Sequence, residues 1–263
     1  MLQSIVSKDN PRIKEAAKLL KSRRERQEQG RFLVEGVKLI WDALEGGCLP
    51  QEAFFTSLAL ERQEKLLETL QKQGVFCAQI SPGVQDKLTD TNAPQGVFCV
   101  FKKVDILQNS VTIKKDGRYL LLSSLQDPGN VGTILRTAEA LALDGILYSK
   151  DCPDLFSPKL LRSTMGAVFR IPLMECENLV QTIGDLREQG VRVYATALAE
   201  DALPVQQVDW SAPCAAVIGN EGNGLQPQVM DACTGCVIIP MGGRIQSLNA
   251  AVAASIVMWE MSR

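Results

Sequence analysis

Three polar loops of this 263-residue chain hold the residue types that could do chemistry. The loop "LQDPGNVGTILRTAEAL" carries Asn130 and Arg136, and "VIGNEGNGL" carries Glu221 among three glycines. The loop "IPMGGRIQSLNAAVAAS" carries Ser247 and Asn249 ahead of a run of small residues. A guanidinium close to a helix start suits a phosphate, and a carboxylate binds a ligand hydroxyl, an amine or an arginine. The pattern predicts a ligand site built from loops.

Each loop alone also has a structural interpretation. Asn130 could cap a helix with Arg136 on the surface, and the glycines could form a hairpin or a bulge. Capping explains Ser247 well, but it leaves Asn249 at the second helical position without a use. The first loop could suggest a dinucleotide-binding turn, yet "PGNVGT" is not G-x-G-x-x-G, and residues 145–149 lack the expected acid.

The chain contains no histidine. This excludes Ser-His-Asp and Cys-His catalysis, histidine ligation of metals and the most frequent general base. The eight cysteines lie mostly in apolar segments without framework spacing, so we predict reduced, buried thiols. Cys233 and Cys236 form a lone C-x-x-C motif with no second pair, and we predict no metal site.

The net charge of −2 conceals an asymmetry. Residues 1–38 carry ten Lys and Arg against five acids, whereas the chain from residue 108 onward is mildly acidic. The basic end predicts a patch for a polyanion, although a solvated amphipathic helix would explain the same charges. No apolar run is long enough to cross a bilayer and no secretory leader opens the chain, which predicts a cytoplasmic protein without a membrane partner.

Apolar runs alternate with helical patterns along the whole chain. Helix 10–27 and the strands and helices after it predict a small α/β domain over residues 1–107, followed by a polar linker over 108–118. The alternation restarts over 119–263, where uniformly apolar strands predict a mostly parallel sheet covered on both faces. This second set includes an expected strand at 168–173 and an expected helix at 247–261.

The three polar loops each follow a predicted strand of the second domain. In an open parallel sheet the carboxyl ends of the strands form the ligand site, so these loops should lie together. "NVGTILRTAEAL", "VIGNEGNGL" and "IPMGGRIQSLNAAVAASIVMWE" resemble, in order and spacing, the three motifs of the SpoU/TrmH branch of the SPOUT RNA methyltransferases. The N-terminal stretch from Ile5 to Gly47 resembles the RNA substrate-binding domain of many members, a module akin to some RNA-binding ribosomal proteins.

The resemblance implies transfer of a methyl group from S-adenosyl-L-methionine to a ribose 2′-hydroxyl of RNA. It also implies a deep trefoil knot in the second domain and homodimers formed through it. Ribosomal RNA is the expected substrate because a separate N-terminal domain resembles the ribosomal-RNA members, and the alternative is transfer RNA. The positions that match the family's active site are Asn130, Arg136, Glu221, Ser247 and Asn249; those that match its cofactor pocket are Thr196, Gly219, Ile239 and Leu248.

We expect Arg136 to bind the phosphate beside the target ribose, while Ser247 and Asn249 position the nucleotide. Glu221 would hold Arg136 or the cofactor amine, and the proton would leave through phosphate, water or a neutral guanidine. The Ala-rich helix would pack inside the knot. A non-catalytic RNA-binding protein of the same fold and a nucleotide-dependent oxidoreductase are the competing interpretations. The expected RNA-binding residues lie in the basic end: Arg12, Lys14, Lys21, Arg23 and Arg24.

Overall fold

The chain divides into two compact units. The computed structural model describes residues 2–103, 111–211, 213–244 and 247–263. One unit comprises Met1–Gln108 and Asp154–Arg170, and the other comprises Asn109–Pro153 and Ile171–Arg263. Residues 104–110, which hold the end of the predicted domain 1–107 and the start of the predicted linker 108–118, lie outside the described residues. The first unit therefore takes a segment, Asp154–Arg170, from the sequence of the predicted second domain.

The first unit is built on a five-stranded mixed sheet in the order β1-β4-β3-β5-β2. β1, β4 and β3 pair in parallel, and β5 pairs antiparallel with β3 and with β2. Large side chains such as Phe54 and Phe98 are fully buried on it. Its elements outside Asp154–Arg170 are β1 Gln3–Ile5, α1 Pro11–Lys21, α2 Arg23–Gln29, β2 Arg31–Glu35, α3 Val37–Glu45, β3 Glu52–Thr56, α4 Ser57–Arg62, α5 Glu64–Lys72, β4 Phe76–Ile80, α6 Pro82–Leu88 and β5 Val97–Lys102.

The helix predicted over residues 10–27 is two helices. Ser22 lies between them with extended backbone angles, φ −122° and ψ 117°. Its hydroxyl accepts a hydrogen bond from the Glu25 backbone N–H at 3.2 Å, so it caps α2. The start of the first helix is as predicted, because Asn10 caps α1 and Pro11 occupies its first position.

The second unit is built on a seven-stranded sheet in the order β10-β12-β9-β11-β6-β7-β8. Every neighbouring pair is parallel, as the apolar strands predicted. The elements of the remaining chain, with α8 belonging to the first unit, are β6 Arg118–Leu122, α7 Pro128–Ala140, β7 Gly145–Ser149, α8 Pro158–Ser163, β8 Leu173–Cys176, α9 Leu179–Glu188, β9 Arg192–Thr196, β10 Leu203–Pro204, β11 Cys214–Ile218, α10 Pro227–Ala232, β12 Gly235–Ile238 and α11 Ala250–Ser262.

The order of the strands reverses between β6 and β11. β7 and β8 lie on one side of β6, whereas β11, β9 and β12 lie on the other. At such a switch point the connections leave the sheet in opposite directions and open a crevice beyond the carboxyl ends of the strands. The loops that follow β6 and β11 are two of the three polar loops. The topology therefore brings their side chains to the same crevice.

Segment Asp154–Arg170 packs within the first unit through aromatic rings. The Phe32 ring centre lies 4.8 Å from that of Phe156 and 5.7 Å from that of Phe101. The Phe169 ring stacks on Phe32 at 6.5 Å and lies tilted 6.2 Å from Phe101. The strand predicted at 168–173 is wrong for this reason. Ala167–Phe169 is a turn of 3-10 helix whose apolar residues fill this aromatic cluster. The strand of this region, β8, begins only at Leu173.

An ion pair buried in the first unit holds the start of the same segment. Arg26 Nε donates to Asp154 Oδ2 at 2.6 Å, and both side chains are more than nine-tenths buried. Arg26 Nη1 also donates to the carbonyl oxygens of Leu19 and Leu20. The Asp154 carboxylate thus pairs with a guanidinium whose Nη1 group also has hydrogen-bond acceptors, and a buried charge needs such partners.

No helix among the described residues is long and apolar enough to span a bilayer.

Candidate active site

Glu221 is the centre of a hydrogen-bond network at the switch point. It follows β11 in the glycine-rich turn, and its carboxylate accepts the backbone N–H groups of Gln126 (2.9 Å) and Asp127 (3.1 Å). It also accepts Asn130 Nδ2 at 2.9 Å. Burial works to raise the pKa of Glu221, but these three hydrogen bonds outweigh it and the pKa lies below its ordinary value of 4.5. The group is therefore a carboxylate at neutral pH.

The amide of Asn249 sets the direction of the hydrogen bonds that reach Glu221. Asn249 Oδ1 caps α11 by accepting the N–H groups of Ala251 (2.9 Å) and Val252 (3.2 Å). Its Nδ2 is left to donate, and it donates to Asn130 Oδ1 at 2.9 Å. Asn130 must then present Nδ2 to Glu221, because an amide has one acceptor end and one donor end. One helix cap thus orients two amides and delivers an N–H to the carboxylate.

This arrangement corrects the predicted start of the last helix. The sequence suggested that Ser247 is the cap and that Asn249 lies inside the helix. Asn249 is the N-cap of α11, with φ −54° and ψ 140°, and the helix begins at Ala250. Ser247 instead lines the cavity described below. Both the capping and the extra hydrogen bond therefore belong to Asn249.

The turn between β11 and α10 closes on itself. Asn220 and Gly224 exchange backbone hydrogen bonds of 3.0 Å, and Asn220 Oδ1 accepts the N–H groups of Gly222 and Asn223. A Cβ at Gly219 would lie 2.6 Å from the Gly224 carbonyl carbon, so only glycine fits there. The hairpin interpretation of these glycines is correct, and the hairpin is also what projects Glu221 towards the loop after β6.

The loop after β6 is held by Ser124, Ser149 and Asp151, none of which is among the predicted site residues. Ser124 has φ +55°, and its N–H donates to Ser149 Oγ at 2.9 Å. The hydroxyls of Ser124 and Ser149 both donate to the carboxylate of Asp151, and Asn220 Nδ2 donates to the Ser124 carbonyl at 2.7 Å. These contacts fix the loop whose N–H groups bind Glu221. The available signal was the polar residues at the ends of two neighbouring strands: "SS" directly after β6, and "SKD", which begins at the last residue of β7.

A cavity of about 480 Å³ opens at the carboxyl ends of β9, β11 and β12. The structure places all four predicted cofactor residues around it: Thr196, Gly219, Ile239 and Leu248. Glu221 and Ser247 line it as well. Its volume is that of a site for a small molecule.

Large apolar side chains at this cavity face solvent. Leu198 is 68% exposed, Leu248 is 38% exposed and Met241 is 37% exposed. Contact of these side chains with water is unfavourable, and a ligand that covered them would gain the free energy of removing apolar surface from water. The Thr196 hydroxyl is already used, since it donates to the Val217 carbonyl at 2.7 Å.

Arg136 lies outside this network. It is exposed on α7, and within the described part of the chain it makes no hydrogen bond or ion pair. The proposed contact between Glu221 and Arg136 is absent from the described residues, where backbone and amide donors occupy the carboxylate instead. The guanidinium is thus available to an anion.

The predicted RNA-binding residues of the first unit are mostly paired with acids. Arg12 pairs with Glu52 and its guanidinium lies 4.1 Å above the Phe76 ring. Lys14 pairs with Asp9 at 2.9 Å, and Arg24 with Glu28 at 2.6 Å. The other two are exposed: Lys21 is the last residue of α1 and Arg23 is the first residue of α2.

Burial protects the thiols, including those of the C-x-x-C motif. It raises the pKa of Cys233 to about 12 and that of Cys214 to about 11, and it also raises the pKa of Cys236. Among the described residues, no group of three or more His, Cys, Asp or Glu side chains could hold a metal ion. Thiolate chemistry at neutral pH is therefore disfavoured at these cysteines.

We expect the native protein to react slowly with dithionitrobenzoate. At pH 8 a thiol of pKa 11 is about one part in a thousand thiolate, and only the thiolate attacks. The half-buried Cys236 should react first, and all eight thiols should react in guanidinium chloride. Absorbance of the released thionitrobenzoate measures both. Rapid release of several equivalents from native protein would contradict the assignment.

Comparisons with known proteins agree with this fold. The SpoU rRNA Methylase family matches residues 117–259, and an MRM3-like substrate binding domain matches residues 10–99. The first match covers more than half of the chain and contains all three loops. The chain belongs to the SpoU rRNA Methylase family.

Relatives in two bacteria match over nearly the full length. The chain is 32% identical to the 23S rRNA (guanosine(2553)-2′-O)-methyltransferase RlmP of Bacillus subtilis, over 99% of each chain. It is also 32% identical to an uncharacterized tRNA/rRNA methyltransferase of Synechocystis sp., over 100% of this chain and 94% of the relative.

Solved structures show the same architecture. An AdoMet-bound rRNA methyltransferase from Sinorhizobium meliloti superposes with a TM-score of 0.88 at 30% identity, over 99% of this chain and 97% of the other. The SpoU methyltransferase AviRb from Streptomyces viridochromogenes, in complex with AdoMet, superposes with a TM-score of 0.84 at 28% identity, over 96% and 97%. The predicted α/β fold with a parallel-sheet SPOUT domain and a preceding α/β domain is confirmed.

Proposed function

We propose that the protein is an S-adenosyl-L-methionine-dependent methyltransferase that methylates a ribose 2′-hydroxyl of ribosomal RNA. The observation that carries this proposal is the cavity at the strand ends, which is lined by residues of two family motifs and lies beside the Glu221 network. The relative described as a 23S rRNA 2′-O-methyltransferase and the two AdoMet-bound neighbours support the same reaction.

The cavity fits S-adenosylmethionine in size and character. Ile239, Leu248 and Met241 give an apolar surface for a flat adenine ring. A Cβ at Gly224 would meet nothing within 4 Å, so the turn leaves open space along the cavity that a side chain would fill. We assign Thr196, Gly219, Ile239 and Leu248 to cofactor binding.

The remaining polar residues position the RNA. When bound, S-adenosylmethionine supplies a methyl group on a sulfonium, which is open to in-line attack by an oxygen. Arg136 binds the phosphate next to the target ribose and so aligns its 2′-hydroxyl, and Ser247 and Asn249 face the nucleotide. Because the chain has no histidine and a guanidinium only donates hydrogen bonds, the hydroxyl proton leaves through phosphate or water. Glu221 and Asn130 hold these loops together.

Two measurements test the function. Purified protein with tritiated S-adenosylmethionine should label ribosomal RNA from a deletion strain and should not label the same RNA from the wild-type strain. Mass spectrometry of ribosomal and transfer RNA from the deletion strain should show one missing ribose methylation in ribosomal RNA. A missing methyl group in transfer RNA would establish the alternative substrate, and no transfer at all would leave a non-catalytic RNA-binding protein.

We expect Glu221→Gln to lower kcat/KM about ten- to hundred-fold and to destabilise the second unit. In the variant an amide –NH₂ would replace one carboxylate oxygen and would face an N–H group that now donates to Glu221. At least one of the three hydrogen bonds would therefore be lost. Tritiated-methyl transfer and thermal denaturation measure the two effects. The matched control is Glu200→Gln, an exposed carboxylate without a partner in the described residues, which should behave as wild type.

The pH dependence of this loss has a defined sign. Because the folded-state pKa of Glu221 is lowered, its stabilisation is present above the ordinary pKa of 4.5 and is lost as pH falls through the lowered value. The stabilities of wild type and Glu221→Gln should therefore converge below pH 4.5. A difference that stays constant down to pH 3 would contradict the role of the ionised carboxylate.

We also propose a homodimer that forms through α7 and α11. A groove of about 320 Å³ lies between these helices, with Val252 49% exposed and Trp259 56% exposed beside it. We expect Trp259→Glu to give a monomer, because a carboxylate cannot be buried there without a partner. Light scattering after size-exclusion chromatography measures the mass. A wild-type monomer, or a dimeric variant, would contradict the proposal.

A trefoil knot in the second unit and action in the cytoplasm, where ribosomal RNA is found, complete the proposal. The strand order supports the knot, since the chain after β12 returns through α11 to pack on β11 and β6. Ligating the chain ends and comparing migration of the denatured circle with that of an unknotted circle of equal length would test it.

A further inference from the structure

A groove on the helical face of the first unit has no role in the site described above. It measures about 360 Å³ and is lined by Trp41, Glu45, Arg62, Gln63 and Lys65, with Leu66 at its base. An adjoining depression of about 320 Å³ shares Arg62 and Gln63 and continues to Leu58 and Gln95. Together they form one path across α3, α4 and α5, which we name the Trp41 groove.

The cations of this groove are not committed to carboxylates. Within the described residues, Arg62 is exposed and makes no hydrogen bond or ion pair. The Lys65 ammonium lies 5.9 Å from the centre of the Trp41 ring, within the outer range of a cation–π contact. In contrast, Arg12 and Arg24, which belong to the basic patch predicted from the sequence, are already paired with acids. A phosphate can therefore bind Arg62 and Lys65 without breaking an ion pair.

The other groups in the groove suit the base of a nucleotide. The half-buried Trp41 offers a flat aromatic face for stacking. The exposed Glu45 carboxylate can accept N–H groups from a base edge. Gln95 Oε1 accepts the Val37 N–H at 3.0 Å, which leaves its –NH₂ to donate into the depression. Stacking requires a base with an open face, so the ligand is an unpaired nucleotide rather than a duplex.

We propose that the Trp41 groove binds a single-stranded nucleotide of the RNA substrate, with its base stacked on Trp41 and its phosphates against Arg62 and Lys65. The inference rests on the proposed function, because it identifies where the first unit holds the RNA of a ribosomal-RNA methyltransferase. It also moves the main RNA contact from the α1–α2 residues predicted from charge to α3–α5. A match of residues 10–99 to a substrate binding domain is compatible with either face.

The test is binding of a fluorescein-labelled, 12-nucleotide single-stranded RNA of mixed sequence to the full-length protein, followed by anisotropy. Trp41→Leu should weaken binding about ten-fold or more, the loss produced by removing one base–aromatic stack, and Trp41→Phe should restore most of it. The double variant Arg62→Gln/Lys65→Gln should weaken binding and reduce the slope of log K against log salt by about 1.4. Both cations are exposed, so this variant should fold as wild type does.

Matched controls separate the groove from the rest of the surface. Lys72→Gln removes one charge from the same helix outside the groove and should bind RNA as wild type does. Arg24→Gln instead tests the basic residues of α1 and α2 that were predicted from charge. A duplex RNA of equal length should bind all groove variants equally. If the Trp41 and Arg62/Lys65 variants bind the single strand as wild type does while Arg24→Gln weakens it, the groove assignment is overturned.

Two further outcomes distinguish the inference from the proposed function. Groove variants that bind and methylate naked RNA normally but fail on assembled ribosomal particles would show a protein occupant, which also overturns the inference. If the wild-type protein methylates ribosomal RNA and the groove variants bind and methylate it equally well, the groove proposal fails and the proposed function is retained. A wild-type protein that neither binds nor methylates RNA overturns both.

Discussion

Arg136→Ala is expected to lower methyl transfer to ribosomal RNA by about a thousand-fold and to leave S-adenosylmethionine binding nearly unchanged. Arg136 is exposed on α7 and is not among the residues around the cavity, so its loss leaves the cofactor contacts intact. Its guanidinium has no partner in the described residues and is free to bind a phosphate. Without that contact the 2′-hydroxyl is no longer held in line with the methyl group.

Calorimetric titration with S-adenosylmethionine and single-turnover transfer separate the two effects. Arg136→Lys keeps the charge but loses the two-pronged geometry, and it should show an intermediate rate. Lys115→Ala, another exposed cation, is the matched control and should be fully active. Full activity of Arg136→Ala would remove Arg136 from the site, and loss of cofactor binding would place it in the cavity instead.

Asp154→Ala should destabilise the first unit by about 3–5 kcal/mol, the cost of leaving a buried charge without its partner. Arg26 is 4% exposed, and Asp154 is its carboxylate partner at 2.6 Å. Lys103 Nζ, 3.9 Å from the same carboxylate, would lose an acid as well. Segment Asp154–Arg170 would then be held mainly by its aromatic rings.

Urea denaturation followed by tyrosine and tryptophan fluorescence measures this loss. The matched control is Lys72→Ala, which breaks the exposed pair between Lys72 and Glu68 and should cost less than about 1 kcal/mol. Replacing both partners with apolar residues, Arg26→Met with Asp154→Leu, should recover much of the stability because no charge is left buried. A cost below about 1 kcal/mol for Asp154→Ala would show that water reaches Arg26.

The sequence predicted the residues of the site better than the hydrogen bonds that join them. Periodicity and glycine spacing located the strands, and the polar residues at their carboxyl ends followed from the parallel sheet. The hydrogen bond from Asn249 to Asn130 joins residues far apart in the chain, so no local pattern could indicate it. The helix start was displaced because Ser and Asn are equally good caps, and only the backbone angles decide between them.

Two features that the sequence did not predict, the conformation of Ser124 and the structure of residues 168–173, depend on tertiary contacts. Ser124 adopts a positive φ that sequence does not favour, and Asp151 and Ser149 hold it there. Residues 168–173 have the apolar pattern of a strand, but Phe169 packs against the rings of Phe32 and Phe101 instead of joining a sheet. A pattern reports that a segment is buried, and it does not report which surface buries it.

Segment Asp154–Arg170 limits how this chain can be divided or recombined. A fragment that begins near residue 111 would carry Phe156 and Phe169 without Phe32 and Phe101, and so would expose two aromatic side chains and an unpaired Asp154. Exposed apolar surface of that kind promotes aggregation. Exchange of the first unit between relatives, in evolution or in the laboratory, must therefore preserve the surface that receives this segment or transfer the segment with it. The first unit, which would have to be exchanged as a whole, is formed by two separate stretches of the sequence.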